Sequence, residues 1–339
     1  MTRFFKAPTN KKNVGFFFIT LIITVLIAEI ILRTYFPIRY ADITSSYEYS
    51  GTLGYKFKKE IHNTESTDHY KEDITNNFGI IGIQNDYSDF NRIIYTIGDS
   101  FTKGTGAMFD SNYPFYLSLC LNQLTDTIIN FKKDYGILNL GTPGYGLKQS
   151  LIRLEEIKRV SSSPDIICFM GSENDYNDDL LFQSGYKHKH IVDKNPYWGK
   201  WYKKPILLIL KTQLGLRLKF LTSLIRQNRV LDRNENLNSL PNSEKMLGDI
   251  EKLITIARSN NAKVILSWSD ANSNSYNWLK NYCALNKIPF ADWARIVKKY
   301  KGKFSILNEN NTHSGGHKRP WVNYMIALAF FEEIKKVDF

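Results

Sequence analysis

The longest apolar run of the chain lies close to its N-terminus. Residues 14–32 (VGFFFITLIITVLIAEIIL) contain a single ionisable side chain, that of Glu29. A helix of this length just spans a hydrocarbon core of about 30 Å, so we predict a transmembrane helix over residues 14–33. The alternative is a cleaved signal peptide, whose apolar core is shorter and is followed by a small-residue cleavage site. Here the run continues directly into Arg33-Thr34-Tyr35-Phe36-Pro37, which offers no such site.

From residue 91 onward, short apolar runs alternate with segments in which apolar residues recur at helical spacing. Strands are predicted at residues 93–97, 137–140, 164–170, 263–268 and 289–290. Helices are predicted at residues 112–124, 147–160, 243–260, 274–285 and 320–336. Short apolar strands that alternate with helices are typical of a parallel sheet covered by helices on both faces. The pattern therefore predicts an α/β domain over residues 91–339.

One polar segment precedes this domain and one basic segment interrupts it. Residues 34–90 are rich in Tyr, Asn, Thr and Asp, and we interpret them as a stalk followed by an irregular lead-in. Residues 176–242 form an insertion in which 12 Lys and Arg residues face 5 Asp and Glu residues. The insertion begins with polar residues and continues through an aromatic and basic stretch at residues 197–204.

An apolar run follows that stretch, at residues 205–225. Three charged residues inside the run argue against a second membrane span: Lys211, Arg217 and Lys219. We interpret the run as a core or lid helix, or as a surface that faces anionic lipid or glycan.

The composition limits the class of protein further. With 43% hydrophobic and 23% charged residues, the 339-residue chain is typical of folded globular proteins and unlike collagen or a disordered tail. The cysteines are too few and too scattered for a disulfide framework or a cysteine zinc site: Cys120, Cys168 and Cys283. His188 and His190 have no third ligand beside them, so no metal site is predicted.

The formal charge of +12 is compatible with nucleic acid, an anionic membrane surface or an acidic polymer as a partner. Basic residues without any acid precede the apolar run, namely Arg3, Lys6, Lys11 and Lys12. By the positive-inside rule, the basic tail of residues 1–13 then stays in the cytoplasm. The chain after Arg33 would lie in the periplasm or outside the cell, which argues against nucleic acid as its partner.

Glycines and polar residues cluster after the predicted strands, where an open parallel sheet binds its ligands. The clusters are residues 98–101 (GDSF), 139–144 (NLGTPG) and 171–175 (GSEND), with a fourth near the C-terminus at residues 312–317 (THSGGH). The serine of the first cluster lies on a strand-to-helix turn, where its hydroxyl is exposed and its backbone N–H is free. One such cluster is a weak signal, but four in this order are a much stronger one.

Together the four clusters resemble the sequence blocks of the SGNH (GDSL-type) hydrolase superfamily of serine esterases, over about residues 75–330. Within it, the chain is most similar to the membrane-anchored bacterial branch, in which an N-terminal helix with a late glutamate precedes the domain. The resemblance implies a flavodoxin-like α/β/α sandwich with a parallel sheet and an ester hydrolase activity that uses no cofactor.

The resemblance also assigns site residues one by one. Ser100 matches the nucleophile, and Gly144 matches the second-block glycine because it lies five residues after an asparagine. Asn174 matches the third-block asparagine, although this block has one additional residue here. The backbone N–H groups of Ser100 and Gly144 and the amide of Asn174 would then stabilise an oxyanion. We interpret Asp99 as a structural acceptor that braces the turn.

The histidine of the fourth block has two candidates. Members of the superfamily carry a small residue, usually alanine, about ten positions beyond this histidine. His317 has Ala327 at that offset, whereas His313 has Asn323, so we prefer His317 as the general base.

The superfamily's catalytic aspartate, three residues before the histidine, has no counterpart in either register. The position holds Ser314 for His317 and Asn310 for His313. Either the acid comes from elsewhere in the chain, or a Ser–His dyad works with neutral hydrogen bonds.

These assignments lead to an expected function. The chain would be a membrane-anchored, extracytoplasmic serine esterase that hydrolyses O-acyl esters, such as O-acetyl groups, on envelope glycan or lipid. An O-acyltransferase could use the same site with a sugar hydroxyl in place of water. A non-catalytic glycan-binding or assembly protein on the same fold is the alternative from a different class, and the missing aspartate is its best support. The sequence leaves all three open.

Overall fold

The computed structural model of the chain describes residues 11–35, 46–66, 70–122, 134–159, 161, 163–184, 214, 240–304 and 317–337. The chain divides into two compact units, Met1–Ala41 with Lys194–Arg229, and Asp42–Asp193 with Val230–Phe339. Several positions of the sequence patterns lie outside the described residues: His188, His190, Asn310, His313, Ser314 and the aromatic and basic stretch at 197–204.

In the first unit, helix α1 (Lys11–Tyr35) carries the apolar run. Its window Gly15–Leu32 has a mean hydropathy of 2.6 and is not buried inside the protein. The helix is long and apolar enough to cross a membrane, a property that signal sequences near an N-terminus share. Glu29 accepts a hydrogen bond at Oε2 from the backbone N–H of Leu214, at 3.0 Å. The predicted N-terminal apolar helix is therefore present.

The second unit is built on a parallel sheet. Its strands are β1 (Tyr47–Ser50), β2 (Gly54–Phe57), β3 (His62–Ser66), β4 (Tyr70–Ile74), β5 (Arg92–Gly98), β6 (Tyr135–Asn139), β7 (Ile166–Gly171) and β8 (Lys263–Trp268). The last four form one parallel sheet in the order β6-β5-β7-β8. Ile94 of β5 pairs with Ile137 on one side and with Ile166 on the other. All side chains of β7 are buried, as expected for a strand covered on both faces.

The helices of the second unit are α2 (Ser100–Lys103), α3 (Tyr113–Leu121), α4 (Leu147–Lys158), α5 (Asp175–Gln183), α6 (Asn242–Lys245), α7 (Leu247–Ser259), α8 (Asn274–Leu285), α9 (Trp293–Phe304) and α10 (Pro320–Val337). Helix α3 packs against α10, and α4 packs against α7. The chain moves from β5 to its neighbour β6 on one side and then back across β5 to β7 and β8. Because crossover connections between parallel strands are right-handed, this change of direction puts α3 on one face of the sheet and α4 and α7 on the other. The α/β fold with a parallel sheet is thus confirmed, and its strand order is that of flavodoxin-like folds.

The segment before the sheet differs from the stalk that the sequence predicts. Strands β1 and β2 form one antiparallel hairpin, and β3 and β4 form another. The first hairpin contributes to a small core of its own, together with a lead-in residue and one from the turn before α4: Tyr47, Leu53, Tyr55, Phe57, Ile81 and Tyr145. Tyr47 and Tyr55 are among these core residues, and their hydroxyls make the segment look polar although their rings are buried.

The second hairpin is tied to the helix that begins at Ser100. Lys103 Nζ lies 2.8 Å from Asp73 Oδ1, and both side chains are about 2% exposed or less. The same ammonium donates to the carbonyl oxygen of Glu72, at 3.1 Å. The hairpin β3–β4 therefore holds α2 in place through a buried ion pair.

Candidate active site

The first cluster forms a sharp turn at the end of the central strand β5. Gly98 has a φ of 147°, and a Cβ added there would collide with Thr102 Oγ1 and the carbonyl oxygen of Met170. Only glycine therefore lets the chain turn so closely past β7. The next residue, Asp99, accepts the backbone N–H of Phe101 at 2.8 Å and so caps α2. Ser100 follows as the first residue of the helix and is half-buried.

Ser100 and His317 meet although they are 217 positions apart. The distance from His317 Nε2 to Ser100 Oγ is 2.8 Å, a hydrogen-bond distance. The imidazole packs beside the ring of Phe101, with ring centroids 4.8 Å apart. His317 lies three residues before α10, and Ala327 in that helix is fully buried. The structure thus joins Ser100 to the histidine preferred from the sequence, and this arrangement suits proton transfer from serine to imidazole.

The third cluster reaches the serine through a chain of hydrogen bonds. Ser172 Oγ lies 2.9 Å from Asp99 Oδ2, and the same Asp99 oxygen lies 3.2 Å from Ser100 Oγ. Asn174 is exposed, with its Oδ1 2.7 Å from Ser172 Oγ. Its Nδ2 donates to Asp178 Oδ2 at 2.7 Å. The loops after β5 and β7 are therefore connected, with the Asn174 amide at the solvent side.

The second cluster packs against the backbone of the first. Thr142 donates its N–H to the carbonyl oxygen of Gly98 at 3.1 Å. A Cβ on Gly141 would collide with the backbone of Thr102 and Lys103, so glycine is required for this close approach. Gly144 has a φ of 74° and lies in the turn before α4. The loops after all three strands therefore meet at one edge of the sheet, and the oxyanion role of Gly144 stays a prediction.

The hydrogen bonds of Glu173, the additional residue of the third cluster, indicate a structural role for it. Its Oε1 accepts from Trp268 Nε1 at 2.8 Å. Its Oε2 accepts from Ser275 Oγ at 3.1 Å and from Asn242 Nδ2 at 3.0 Å. The carboxylate ties the end of β7 to β8, α6 and α8, which accounts for one more residue in this loop.

Two buried carboxyls lie beside Ser172. Asp99 and Asp175 are fully buried, and burial raises the pKa of each. Ser172 Oγ lies 2.5 Å from Asp175 Oδ1 as well as 2.9 Å from Asp99 Oδ2. Asn174 Oδ1 is a third oxygen at 2.7 Å, and a hydroxyl has one proton to donate, so Ser172 can donate to only one of the three. Burial favours the protonated form of the two aspartates, and a protonated carboxyl donates to the Ser172 oxygen.

This network contains residues that the sequence does not indicate. Ser172 and Asp175 have no assigned role in the resemblance, and Asp99 contacts the serine hydroxyl besides bracing the turn. The position of Ser172 directly after an apolar strand is the one sequence feature that could have indicated this network. Among the described residues, no group of three or more His, Cys, Asp and Glu side chains is arranged to hold a metal ion.

No family model and no curated protein matches the chain. Solved structures similar to it include a member of the lipolytic protein G-D-S-L family from Veillonella parvula, which is 13% identical over 71% of this chain and 96% of that one, with a TM-score of 0.39. A GDSL-like lipase from Bacteroides thetaiotaomicron is 15% identical over 75% and 93% of the two chains, with a TM-score of 0.37. An acetyl xylan esterase from Geobacillus stearothermophilus is 14% identical over 72% and 94%, with a TM-score of 0.39. Similarity at this level is weak, so the function rests on the site itself.

Proposed function

We propose that this chain is a serine esterase of the SGNH (GDSL) type that hydrolyses O-acyl esters. One observation carries the proposal, the 2.8 Å distance between Ser100 Oγ and His317 Nε2. The pair lies after β5, between the loops of its two neighbours β6 and β7. In flavodoxin-like sheets this is the point where the strand order reverses and where ligands bind.

In the proposed reaction, Ser100 is the nucleophile and His317 the general base. A serine hydroxyl attacks an ester carbonyl only poorly until an imidazole accepts its proton. His317 takes the Ser100 proton as the Oγ–carbonyl bond forms and gives it to the leaving alcohol. Water, deprotonated by the same imidazole, then releases the acid from the acyl-enzyme.

The oxyanion would be stabilised by three donors. Ser100 begins α2, so its N–H is one of those that no helical carbonyl accepts. Gly144 N–H and Asn174 Nδ2 are the other two, as the resemblance implies. The exposed Asn174 amide would turn from Asp178 to the substrate. Loss of one such donor typically costs about 10²–10³ in rate.

Asp99 could supply part of the electrostatic effect of the missing catalytic aspartate. Its carboxyl lies 3.2 Å from Ser100 Oγ, so it contacts the serine and not the imidazole. Burial raises the pKa of Asp99, and the neighbouring His317 lowers it by a smaller amount. A carboxylate at this position would stabilise the positive charge that develops on the imidazole as Ser100 transfers its proton.

We further propose that α1 anchors the enzyme, with its basic tail in the cytoplasm and its second unit outside. The support is the 2.6 mean hydropathy of Gly15–Leu32 and the basic residues before it. In that compartment, O-acyl groups on envelope glycan or lipid, O-acetyl groups among them, are the substrates within reach.

Phosphonate labelling of the full-length protein tests the proposal, because only an activated serine reacts readily. We expect a label on Ser100 in the wild type and none in Ser100→Ala or His317→Ala. Ser88→Ala, which changes an exposed serine before β5, should be labelled as the wild type is. Turnover of 4-nitrophenyl acetate should follow the same order.

Two results would contradict the proposal or change it. An unlabelled but folded wild type would favour the non-catalytic binding protein. Acyl transfer to an added sugar at the expense of hydrolysis would make the enzyme an acyltransferase with the same site residues.

A further inference from the structure

A cavity lies beside the outer edge of the parallel sheet. Its volume is about 220 Å³, and its walls come from the lead-in after β4, the loop before α3, α3 itself and strand β6. Strand β6 is the terminal strand of the sheet, and the lead-in pairs with it through an isolated bridge between Ile81 and Asn139. The rings of Tyr87 and Phe90 lie against Gly136 of the same strand.

Five aromatic side chains line the cavity. Tyr87 and Phe90 lie on one side with their ring centroids 6.0 Å apart, and Phe109 and Phe115 form an edge-to-face pair at 6.2 Å. The remaining lining is mixed: the apolar side chains are those of Ile81, Ile83, Pro114 and Ile137, and the polar ones are those of Gln84, Asn112, Ser118 and Asn139. Rings in two pairs around a cavity favour a flat apolar occupant, which each pair can contact with a face or an edge.

One buried polar group in this wall has no partner in the described part of the chain. Asn139 is 4% exposed, and its Nδ2 donates to no acceptor there. Its Oδ1 accepts the N–H of Gly141 at 3.0 Å, which fixes the orientation of the amide. Alternate residues of a strand share a face, so Asn139 points to the same side as the half-buried Ile137. A buried N–H group without an acceptor is rare in native proteins.

Water alone is a poor occupant for this space. A buried water needs two to four polar partners. The neighbouring Asn112 already uses both ends of its amide, donating to the carbonyl of Phe109 at 2.7 Å and accepting from the N–H of Phe115 at 2.9 Å. An occupant with a single acceptor atom and an otherwise apolar surface matches the wall better.

We propose that this cavity binds a small neutral aryl carbonyl compound, whose oxygen accepts a hydrogen bond from Asn139 Nδ2. The size agrees, because a cavity of about 150 Å³ holds benzene and this one is larger by the volume of a few heavy atoms. The site is separate from the Ser100–His317 pair and does not depend on the proposed esterase activity.

Thermal unfolding of the full-length protein in detergent tests this, with two probes of the same shape. Acetophenone carries a carbonyl oxygen where α-methylstyrene carries a CH₂ group. We expect acetophenone to raise the Tm of the wild type by about 3–6 °C at ten times its Kd. α-Methylstyrene should raise it clearly less, since it leaves Asn139 Nδ2 unpaired.

Variants of the wall distinguish binding in this cavity from binding at another surface of the protein. Ser118→Phe fills the cavity and should abolish the shift, whereas Ser118→Ala leaves the space and should keep it. Asn139→Asp keeps an acceptor for Gly141 but loses the donor, so the two probes should become equal. If Ser118→Phe does not fold, Ile137→Trp fills the same space from the strand side.

Three outcomes would overturn the proposal. Equal shifts for the two probes in the wild type would remove the role of Asn139. An unchanged shift in both filled variants would place the probe elsewhere, in the detergent or on another surface. Loss of the shift in Ser100→Ala would place it at the serine. A preserved shift in Ser100→Ala supports the proposal whatever that variant does to ester turnover.

Discussion

His317 is the residue on which the proposed chemistry depends most directly, because its Nε2 is 2.8 Å from the serine hydroxyl. His317→Ala should lower kcat/KM on a 4-nitrophenyl ester by about 10⁴–10⁶, the loss typical of a general base acting with its nucleophile. The measurement is the initial rate, with folding checked by circular dichroism.

Two other histidines serve as controls for this prediction. His62→Ala, on the exposed side of β3, should leave the rate unchanged. His313→Ala should cost only about ten- to a hundredfold, through misorientation of the loop before α10. A larger loss for His313→Ala than for His317→Ala would contradict the assignment of the base.

Asp178 should make the stability of the protein depend on pH. Burial raises its pKa to about 7, compared with about 3.9 for an aspartate in an unfolded chain. Between these values the folded state binds more protons than the unfolded state, so the free energy of unfolding falls as pH rises from about 4 to about 7. Asp178→Asn removes this titration while keeping an oxygen that can accept from Asn174. The variant should therefore lose less Tm than the wild type over that range.

The dependence should be reduced and not abolished, since burial also raises the pKa of Asp179 to about 7. Glu251→Gln, on the exposed face of α7, is the control and should follow the wild type. Parallel Tm–pH curves for Asp178→Asn and the wild type would show that this carboxyl does not titrate in the folded protein over that range.

At the same scale, local motifs indicate Ser100 and His317, but the groups around them depend on tertiary contacts. Ser172 and Asp175 lie near Ser100 only because β5 and β7 are neighbours in the sheet. Nothing in the residues near Asp99 reveals that a second buried carboxyl lies beyond Ser172. The contacts across this network could therefore be found only from the three-dimensional structure.

Among the elements, the hairpin β3–β4 and helix α2 depend on each other through the pair of Asp73 and Lys103. Replacing one partner leaves the other charge buried and unpaired, which typically costs about 3–5 kcal/mol. Asp73→Ala should lower the free energy of unfolding by about that amount. It should also lower esterase turnover, because α2 carries Ser100 at its first position. The measurements are thermal unfolding and the initial rate.

An exposed ion pair in the neighbouring hairpin provides the contrast. Glu48→Ala removes the partner of Lys56 at 3.4 Å, where the two side chains are 43% and 32% exposed, and should cost about 0–1 kcal/mol. In the double variant Asp73→Leu with Lys103→Met, no charge is left unpaired, so most of the lost stability should return. Equal losses from the Asp73 and Glu48 variants would mean that the buried pair does not hold the hairpin.

The elements that the sequence predicts differ from those that it does not in how strongly their apolar residues are concentrated. The strands of the parallel sheet are short apolar runs, and burial on both faces makes such runs easy to recognise. Strands β1 and β2 alternate aromatic and polar residues, and β3 and β4 consist mostly of polar residues, so the pattern of the two hairpins resembles a polar linker. Helix α9 is amphipathic yet basic, and no helix is predicted there although the predicted strand at residues 289–290 directly precedes it.

For the whole molecule, the division into two units predicts which part carries activity by itself. All four site clusters lie in Asp42–Asp193 and Val230–Phe339, whereas α1 and Lys194–Arg229 form the other unit. Within that other unit, Glu29 accepts the N–H of Leu214. A chain that lacks only residues 1–41 therefore loses this acceptor and keeps the apolar run at 205–225 without α1.

Two shortened chains test this division. The chain that begins at residue 42 should still partition into detergent, because the apolar run remains. In the second chain, residues 194–229 are also replaced by a short Gly-Ser linker, and this chain should stay in the aqueous phase. It should hydrolyse 4-nitrophenyl acetate within about tenfold of the full-length rate, since every proposed site residue is retained. Detergent phase partitioning and the initial rate are the measurements. Two outcomes would contradict this division. If circular dichroism shows that the doubly shortened chain is unfolded, residues 194–229 belong to the core of the catalytic unit. If the chain that begins at residue 42 stays in the aqueous phase, the apolar run at 205–225 is covered without α1.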